Sequence, residues 1–235
     1  MTPSLEQKLA SYKPTQSAIN LVGQAKILLL VGISGAGKDT VKTQLIKRGG
    51  YHHIISHTTR PPRLNHGVLE QDGIDYHFIS LRRAEQMIDE QAFIEVKTYS
   101  GNVYGTSVDE ILAASKSGEV AITDLEIQGV AEYKSLSRGV RAVFLLPPSY
   151  EVWQERLSRR YSGGIVDQED IAKRMRTAKQ ELDHALETNY FHFVVNDDLG
   201  KTIDTIHNFV HQKTVQIADD ESRNLAEEIA KKLVY

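Results

Sequence analysis

With 235 residues the chain is long enough for one sizeable α/β core and too short to favour two independent ones. A net charge of −3 and a pI near 6.3 exclude a global basic field that would draw it to nucleic acid or to a membrane surface, so any phosphate binding has to be local. The absence of cysteine excludes disulfides and thiolate metal sites.

The polar opening MTPSLEQKLASYKP lacks the charged-then-apolar layout of a secretion signal, and the longest aliphatic run, Ile27 to Val31, is far shorter than a membrane span; a cytoplasmic location is expected. Residues 1–24 alternate polar and apolar, with Pro3 and Pro14 interrupting, and read as a short helical or irregular extension appended to the body. Lys26 to Val31 is a compact apolar run followed by a Gly-rich turn, the pattern of a strand buried on both faces of a parallel sheet. A helix is predicted from about Lys38 to Arg48, ended by Gly49 and Gly50. The stretch 51–106, rich in Thr, Arg, Tyr, His and Gly, has strand-like pieces at Asp75–Ile79 and Phe93–Thr98 and reads as an insertion that binds something. Apolar runs at 120–123, 140–146 and 191–195 then alternate with helical stretches near 107–117, 127–137, 149–160, 168–187 and 199–212, which implies βαβ crossovers. Apolar residues at 225, 229, 233 and 234 suggest a final amphipathic helix, packed on the body or on a second subunit of a homo-oligomer.

Gly32-Ile-Ser-Gly-Ala-Gly-Lys38 matches GxxxxGK between a predicted strand and a predicted helix, the context a phosphate-binding P-loop requires. Backbone N–H groups of Gly32, Ser34, Gly35, Ala36 and Gly37 can turn onto a polyphosphate, and Lys38 can reach its outer oxygens. Asp39 stands where Ser or Thr normally offers a hydroxyl to Mg²⁺. It is either a working substitute, direct or through water, or a sign of altered nucleotide handling, and Thr40 can supply the hydroxyl from the next position. Asp124, ending an apolar run, is placed either to orient Mg²⁺ through water or to cap the following helix.

Ser56-His-Thr-Thr-Arg60-Pro-Pro-Arg63, Asp75-Tyr76-His-Phe78, Phe93-Ile-Glu95, Gly101-Asn-Val-Tyr104-Gly105-Thr106, Asp124-Leu-Glu126-Ile-Gln-Gly129 and Val194-Val-Asn196-Asp197-Asp198 follow in an order that resembles guanylate kinase, a family of P-loop nucleoside monophosphate kinases. The resemblance covers about residues 26–212. It implies a P-loop NTPase fold with a central parallel sheet flanked by helices, a domain over 25–212 between extensions 1–24 and 213–235, an inserted GMP-binding subdomain at 56–106 and a lid at 157–170.

It implies further that Arg60, Arg63, Tyr76 and Tyr104 hold the GMP phosphate, and that Ser56, Glu95, Gly105, Thr106 and Glu126 surround guanine. Guanidinium forks fit phosphate oxygens two at a time, and a carboxylate such as Glu95 can accept from the adjacent N1–H and N2–H₂ donors of guanine. Arg156, Arg160 and Arg174 match arginines that close over the ATP phosphates; as residues alone they also fit the solvated faces of two charged helices. The implied reaction moves the γ-phosphate of ATP, with Mg²⁺, onto GMP. Asp39 keeps open a relative acting on another acceptor such as ribose 1,5-bisphosphate, and a non-catalytic binding module is the third reading. The loop Leu64 to Asp75 is a few residues longer than the family pattern.

Overall fold

The computed structural model describes residues 3–65, 67–125, 127–159, 168–211 and 219–233. Two helices lead in, α1 (Pro3–Ser11) and α2 (Gln16–Gln24), followed by β1 (Ile27–Val31) and α3 (Lys38–Arg48). Short pieces come next: β2 (Tyr51–His53), β3 (His57–Thr58), β4 (Leu64–Asn65), β5 (Val68–Leu69) and β6 (His77–Phe78). Then follow α4 (Leu81–Asp89), β7 (Phe93–Tyr99), β8 (Asn102–Ser107), α5 (Val108–Ser117), β9 (Val120–Asp124) and α6 (Ile127–Leu136). The last part holds β10 (Arg141–Leu146), α7 (Tyr150–Arg159), α8 (Gln168–Glu187), β11 (Phe191–Val195), α9 (Leu199–His211) and α10 (Asp219–Lys232). The fold is α/β, with parallel strand pairs and helices between the strands. No helix among the described residues is long and apolar enough to cross a membrane.

The chain divides into two compact units. One comprises residues 28–49, 124–131 and 141–235. In it β1 pairs with β10 and β10 with β11, both parallel. All five residues of β1 are buried, as its unbroken Ile-Leu-Leu-Leu-Val run predicts for a strand covered on both faces. Helix α10 packs onto α8 and β11 through Ala226, Ile229, Ala230 and Leu233. Lys232 ties its end to Glu151 on α7 at 2.8 Å. The tail therefore belongs to the body of this unit.

The other unit comprises residues 1–27, 50–123 and 132–140. Here β2 and β9 pair in parallel, and a second sheet runs β6-β3-β8-β7 with β3–β8 and β7–β8 antiparallel. Helix α4, which composition alone does not announce, is capped by Ser80, whose hydroxyl accepts from Arg83 N. It buries Ala84, Met87 and Ile88 against Phe93, Val103 and, from α1, Leu5. The first helices are thus built into this core and are not a loose appendage. The Tyr12 hydroxyl donates to Phe93 O at 2.7 Å and accepts from Phe93 N at 2.9 Å, and Lys8 pairs with Asp89 at 2.6 Å.

Leu5 is fully buried, so Leu5→Ala is expected to destabilise the protein by about 2–5 kcal/mol in denaturant titration. A loss below about 0.5 kcal/mol, the range of an ordinary surface substitution, would show that α1 contributes nothing to this core.

Candidate active site

The loop after β1 is shaped by its neighbours. A Cβ on Gly32 (φ 145°) would lie 2.4 Å from Leu145 O, and one on Gly37 (φ 97°) would lie 2.4 Å from the Asn196 amide nitrogen. Asn196, nearly buried beyond β11, donates Nδ2 to Ala36 O at 2.8 Å and accepts from Arg156 Nη2 through its main-chain oxygen at 3.1 Å. From α7 the Trp153 indole donates to Ser34 O at 2.8 Å. The loop is therefore held open from two elements by side chains bonded to its carbonyls. The Ala36 N–H is taken by Ile33 O at 3.0 Å, contrary to the expectation that it turns onto a phosphate, because the loop closes a tight turn there; the N-terminus of α3 offers its remaining N–H groups to anions.

Lys38 Nζ donates to Gly32 O at 2.5 Å and reaches Ile33 O at 3.5 Å, so the ammonium lies back across the loop it is expected to serve. Arg174 donates Nε to Asp170 at 2.9 Å and Nη1 to Ser34 Oγ at 3.3 Å. Arg156 keeps Nη1 buried with no hydrogen-bond partner among the described residues. A pocket lined by Gly35, Gly37, Thr40, Arg156, Asn196 and Asp197 opens beside them. The predicted residues Gly32, Ser34, Gly35, Ala36, Gly37, Lys38, Arg156 and Arg174 are thus brought around one loop. Arg160, with residues 161–167 of the lid, lies outside the described residues.

Asp39 and Thr40 stand exposed on the first turn of α3. Asp124 accepts from Lys42 Nζ at 2.5 Å. Burial pushes the Asp124 carboxyl up, but Lys42 and Lys38 outweigh it and hold the group below the usual range, ionised at neutral pH. Lys42 was not singled out in the sequence; its signal is the spacing of four from Lys38, which puts both ammonium groups on one helix face. An ionised carboxylate and the Thr40 hydroxyl are hard oxygen donors of the kind Mg²⁺ takes when phosphates and water supply its remaining ligands.

In the other unit, the second sheet carries the acceptor candidates. After a bulge between Phe93 and Glu95, β7 and β8 pair with Glu95 opposite Thr106 and Lys97 opposite Tyr104. The two-residue period puts all four on one face. Glu95 is 7% exposed; Thr106 Oγ1 donates to its Oε1 at 2.9 Å, and Oε2 has no hydrogen-bond partner among the described residues. Burial pushes the Glu95 carboxyl up to about 7, with Lys97 pulling it down and Glu132 pushing it up. Gly105 is required here, since a Cβ would come within 2.7 Å of Glu95 O and 2.9 Å of the Phe93 ring. Ser56 O accepts from His77 N at 2.9 Å, which fixes Ser56 at the start of β3.

Arg60, 5% exposed, makes a two-pronged bond to Glu70, Nη1 to Oε2 at 2.7 Å and Nη2 to Oε1 at 3.1 Å. Its guanidinium carbon lies 5.1 Å from the Tyr76 ring centre and 5.8 Å from that of Phe78, and the Tyr104 hydroxyl bonds to it as well. Glu70 also accepts from Arg63 N at 2.8 Å, while the Arg63 residue is exposed. Arg60, Tyr76 and Tyr104 are therefore together, with a carboxylate on the guanidinium fork. Glu70 was missed in the sequence; it sits just beyond the β4–β5 hairpin of the long loop, whose pairing carries it back to Arg63. Glu126 lies outside the described residues.

The family model for guanylate kinase matches residues 24–213. The chain is 35% identical over 204 residues to a guanylate kinase of Schizosaccharomyces pombe, covering 86% of this chain and 94% of that protein. It is 38% identical over 193 residues to one of Chlorobaculum tepidum, covering 81% and 94%. The crystal structure of guanylate kinase from Anaplasma phagocytophilum shares the fold, with a TM-score of 0.59 at 23% identity over 84% of this chain and 90% of that one. With a family model matched over residues 24–213 and these relatives matched over most of their length, the chain belongs to the guanylate kinase family.

Proposed function

We infer that the chain is a guanylate kinase that transfers the γ-phosphate of ATP to GMP. The observation that carries the assignment of its acceptor site is a single sheet face. A buried carboxylate with an unused oxygen, Glu95, stands there two residues from the position opposite Tyr104, and Tyr104 bonds to Arg60. Such a face suits a base with adjacent donors at one end and a phosphate at the other. The family matches do not favour another acceptor or a non-catalytic role.

In this reading ATP lies on the Gly32–Lys38 loop, with Lys38 leaving Gly32 O for the β- and γ-phosphates, and Arg156, Arg174 and Arg160 closing over them. Mg²⁺, held by the phosphates with Asp124 and Thr40 directly or through water, would neutralise charge and orient the γ-phosphate. Arg60, Arg63, Tyr76 and Tyr104 hold the acceptor phosphate. Its second pKa is near 6, so it arrives largely as the dianion and needs no general base. One of its oxygens forms the new bond to the γ-phosphorus while the bond to the β–γ bridging oxygen breaks, and ADP takes that electron pair. A cytoplasmic setting fits a cysteine-free chain that uses ATP.

Lys38→Ala is expected to lower kcat by about 10²–10³ with the fold retained by circular dichroism; an unchanged rate would remove Lys38 from the chemistry. Glu70→Ala leaves the Arg60 charge buried and unpaired, which predicts a loss of about 3 kcal/mol in the unliganded protein. GMP should then raise the melting temperature of the variant more than that of the parent, and equal shifts would place the phosphate elsewhere. Because the Glu95 carboxyl is raised from 4.5 to about 7, the folded state binds its proton more tightly than the unfolded chain. That stabilising contribution is complete below about pH 4.5 and is lost as pH rises through about 7. Glu95→Gln should flatten this part of the stability–pH curve, and it should weaken GMP binding more than ATP binding.

A further inference from the structure

Lys97 carries a charge on the candidate acceptor face that no hydrogen bond among the described residues uses. Its Nζ is buried without a hydrogen-bond partner among them, and so is Oε2 of Glu95, two residues away on the same face of β7. Opposite Lys97 on β8 stands Tyr104, which bonds to Arg60. Lys97 thus sits between the carboxylate assigned to the base and the group assigned to the phosphate. Around Glu95 the other facing groups are Thr106 on β8, Glu132 and Tyr133 on α6, and Tyr12 after α1. Thr106 has committed its proton to Oε1, and the phenols of Tyr12 and Tyr133 are both pushed up by burial and stay neutral. Glu132 adds a second negative charge. Among the described residues that act most on Glu95, Lys97 alone brings a positive charge.

A base with two adjacent N–H donors needs an ionised carboxylate, since a protonated one presents a donor against a donor. An ammonium in the low-dielectric pocket favours that ionised form at close range. Resting on the base-reading role given to Glu95, we propose that Lys97 is a specificity-determining residue, whose charge keeps Glu95 in the carboxylate form that accepts from the guanine edge. It acts through Glu95 and is a positioning residue for the acceptor.

The test compares Lys97→Met, Lys97→Arg and Glu95→Gln with the parent, measuring KM for GMP and for ATP and the pH profile of kcat/KM for GMP. The acceptor phosphate titrates near pH 6 in every protein, so the readout is each variant's difference from the parent. Lys97→Met should raise KM for GMP about fivefold at pH 7 and move the acidic limb up by about one pH unit, with KM for ATP unchanged. Lys97→Arg should restore both. A Lys97→Met profile that coincides with the parent's, while Glu95→Gln shifts its own, overturns the role of Lys97 and leaves Glu95 in place. If Glu95→Gln also leaves GMP binding unchanged, the base-reading assignment itself fails. A loss that is equal at every pH and is not restored by arginine would mark Lys97 as structural and also overturn the proposal. Should the methionine variant not fold, Lys97→Gln repeats the comparison.

Discussion

A protein that gathers phosphates must hold positive charge ready for them, yet a buried charge with no partner is among the least stable arrangements a fold can contain. The structure meets this constraint with provisional partners. Lys38 rests on the carbonyl of Gly32, and Arg60 rests on Glu70 with both prongs of its fork. In the proposed reaction each partner is a weaker ligand than the one it waits for. A carboxylate carries one negative charge and a carbonyl only a partial one, whereas a phosphate monoester near neutral pH carries about 1.5 to 2. At about 4 Å and an effective dielectric near 20 each unit charge contributes about 4 kcal/mol, so a phosphate can displace the Glu70 that pairs with Arg60. Asp124 shows the converse, a carboxylate kept ionised by two lysines and so ready to face a cation.

The shape of the donor loop follows from what surrounds it as much as from its own sequence. Gly32 and Gly37 are glycine because Leu145 O and the Asn196 amide occupy the space that a side chain would need. Those same neighbours hold the loop: the amide of Asn196 takes the Ala36 carbonyl, and its main-chain oxygen takes a guanidinium nitrogen of Arg156. One asparagine therefore sets both the curvature of the loop backbone and the place of an arginine on α7. Two of the loop's carbonyls, those of Ala36 and Ser34, which would otherwise be able to turn inward against an anion, are bonded outward to Asn196 and Trp153.

The parallel-sheet elements were legible because each is a short apolar run bounded by strong punctuation. Ile27 to Val31 ends in the glycines of the loop, and α3 ends where Gly49 and Gly50 take positive φ. Helix α4 was not legible from composition, since its arginines and acids merge with the polar stretch around it. The Ser80 cap and the spacing of Ala84, Met87 and Ile88 were the usable signals. At the N-terminus the prolines read as interruptions, whereas Pro3 opens α1 and Pro14 precedes the Thr15 cap of α2, so they mark boundaries. The P-loop and the Arg60–Tyr76–Tyr104 group could be read as residues in order. Glu70 and Lys97 could not, because their partners are set by the β4–β5 hairpin and by the β7–β8 register, neither of which a motif records.

That register also connects the lead-in helices to the acceptor face. Phe93 is where Tyr12 bonds to both main-chain groups, where the α1–α4 core is anchored and where the bulge begins that turns Glu95 toward Thr106. A slip of one residue at this point would move Glu95, Lys97 and Tyr99 to the opposite face together. Gly105 adds a second restriction, since only its missing side chain lets β8 lie this close to Glu95 O and the Phe93 ring. Base recognition of the kind proposed thus depends on backbone placement as well as on the carboxylate's own contacts, to which Thr106 contributes through both its hydroxyl and its main chain. Tyr12 and Lys13, in a segment that carries none of the family's motifs, hold the strand end from which that placement starts.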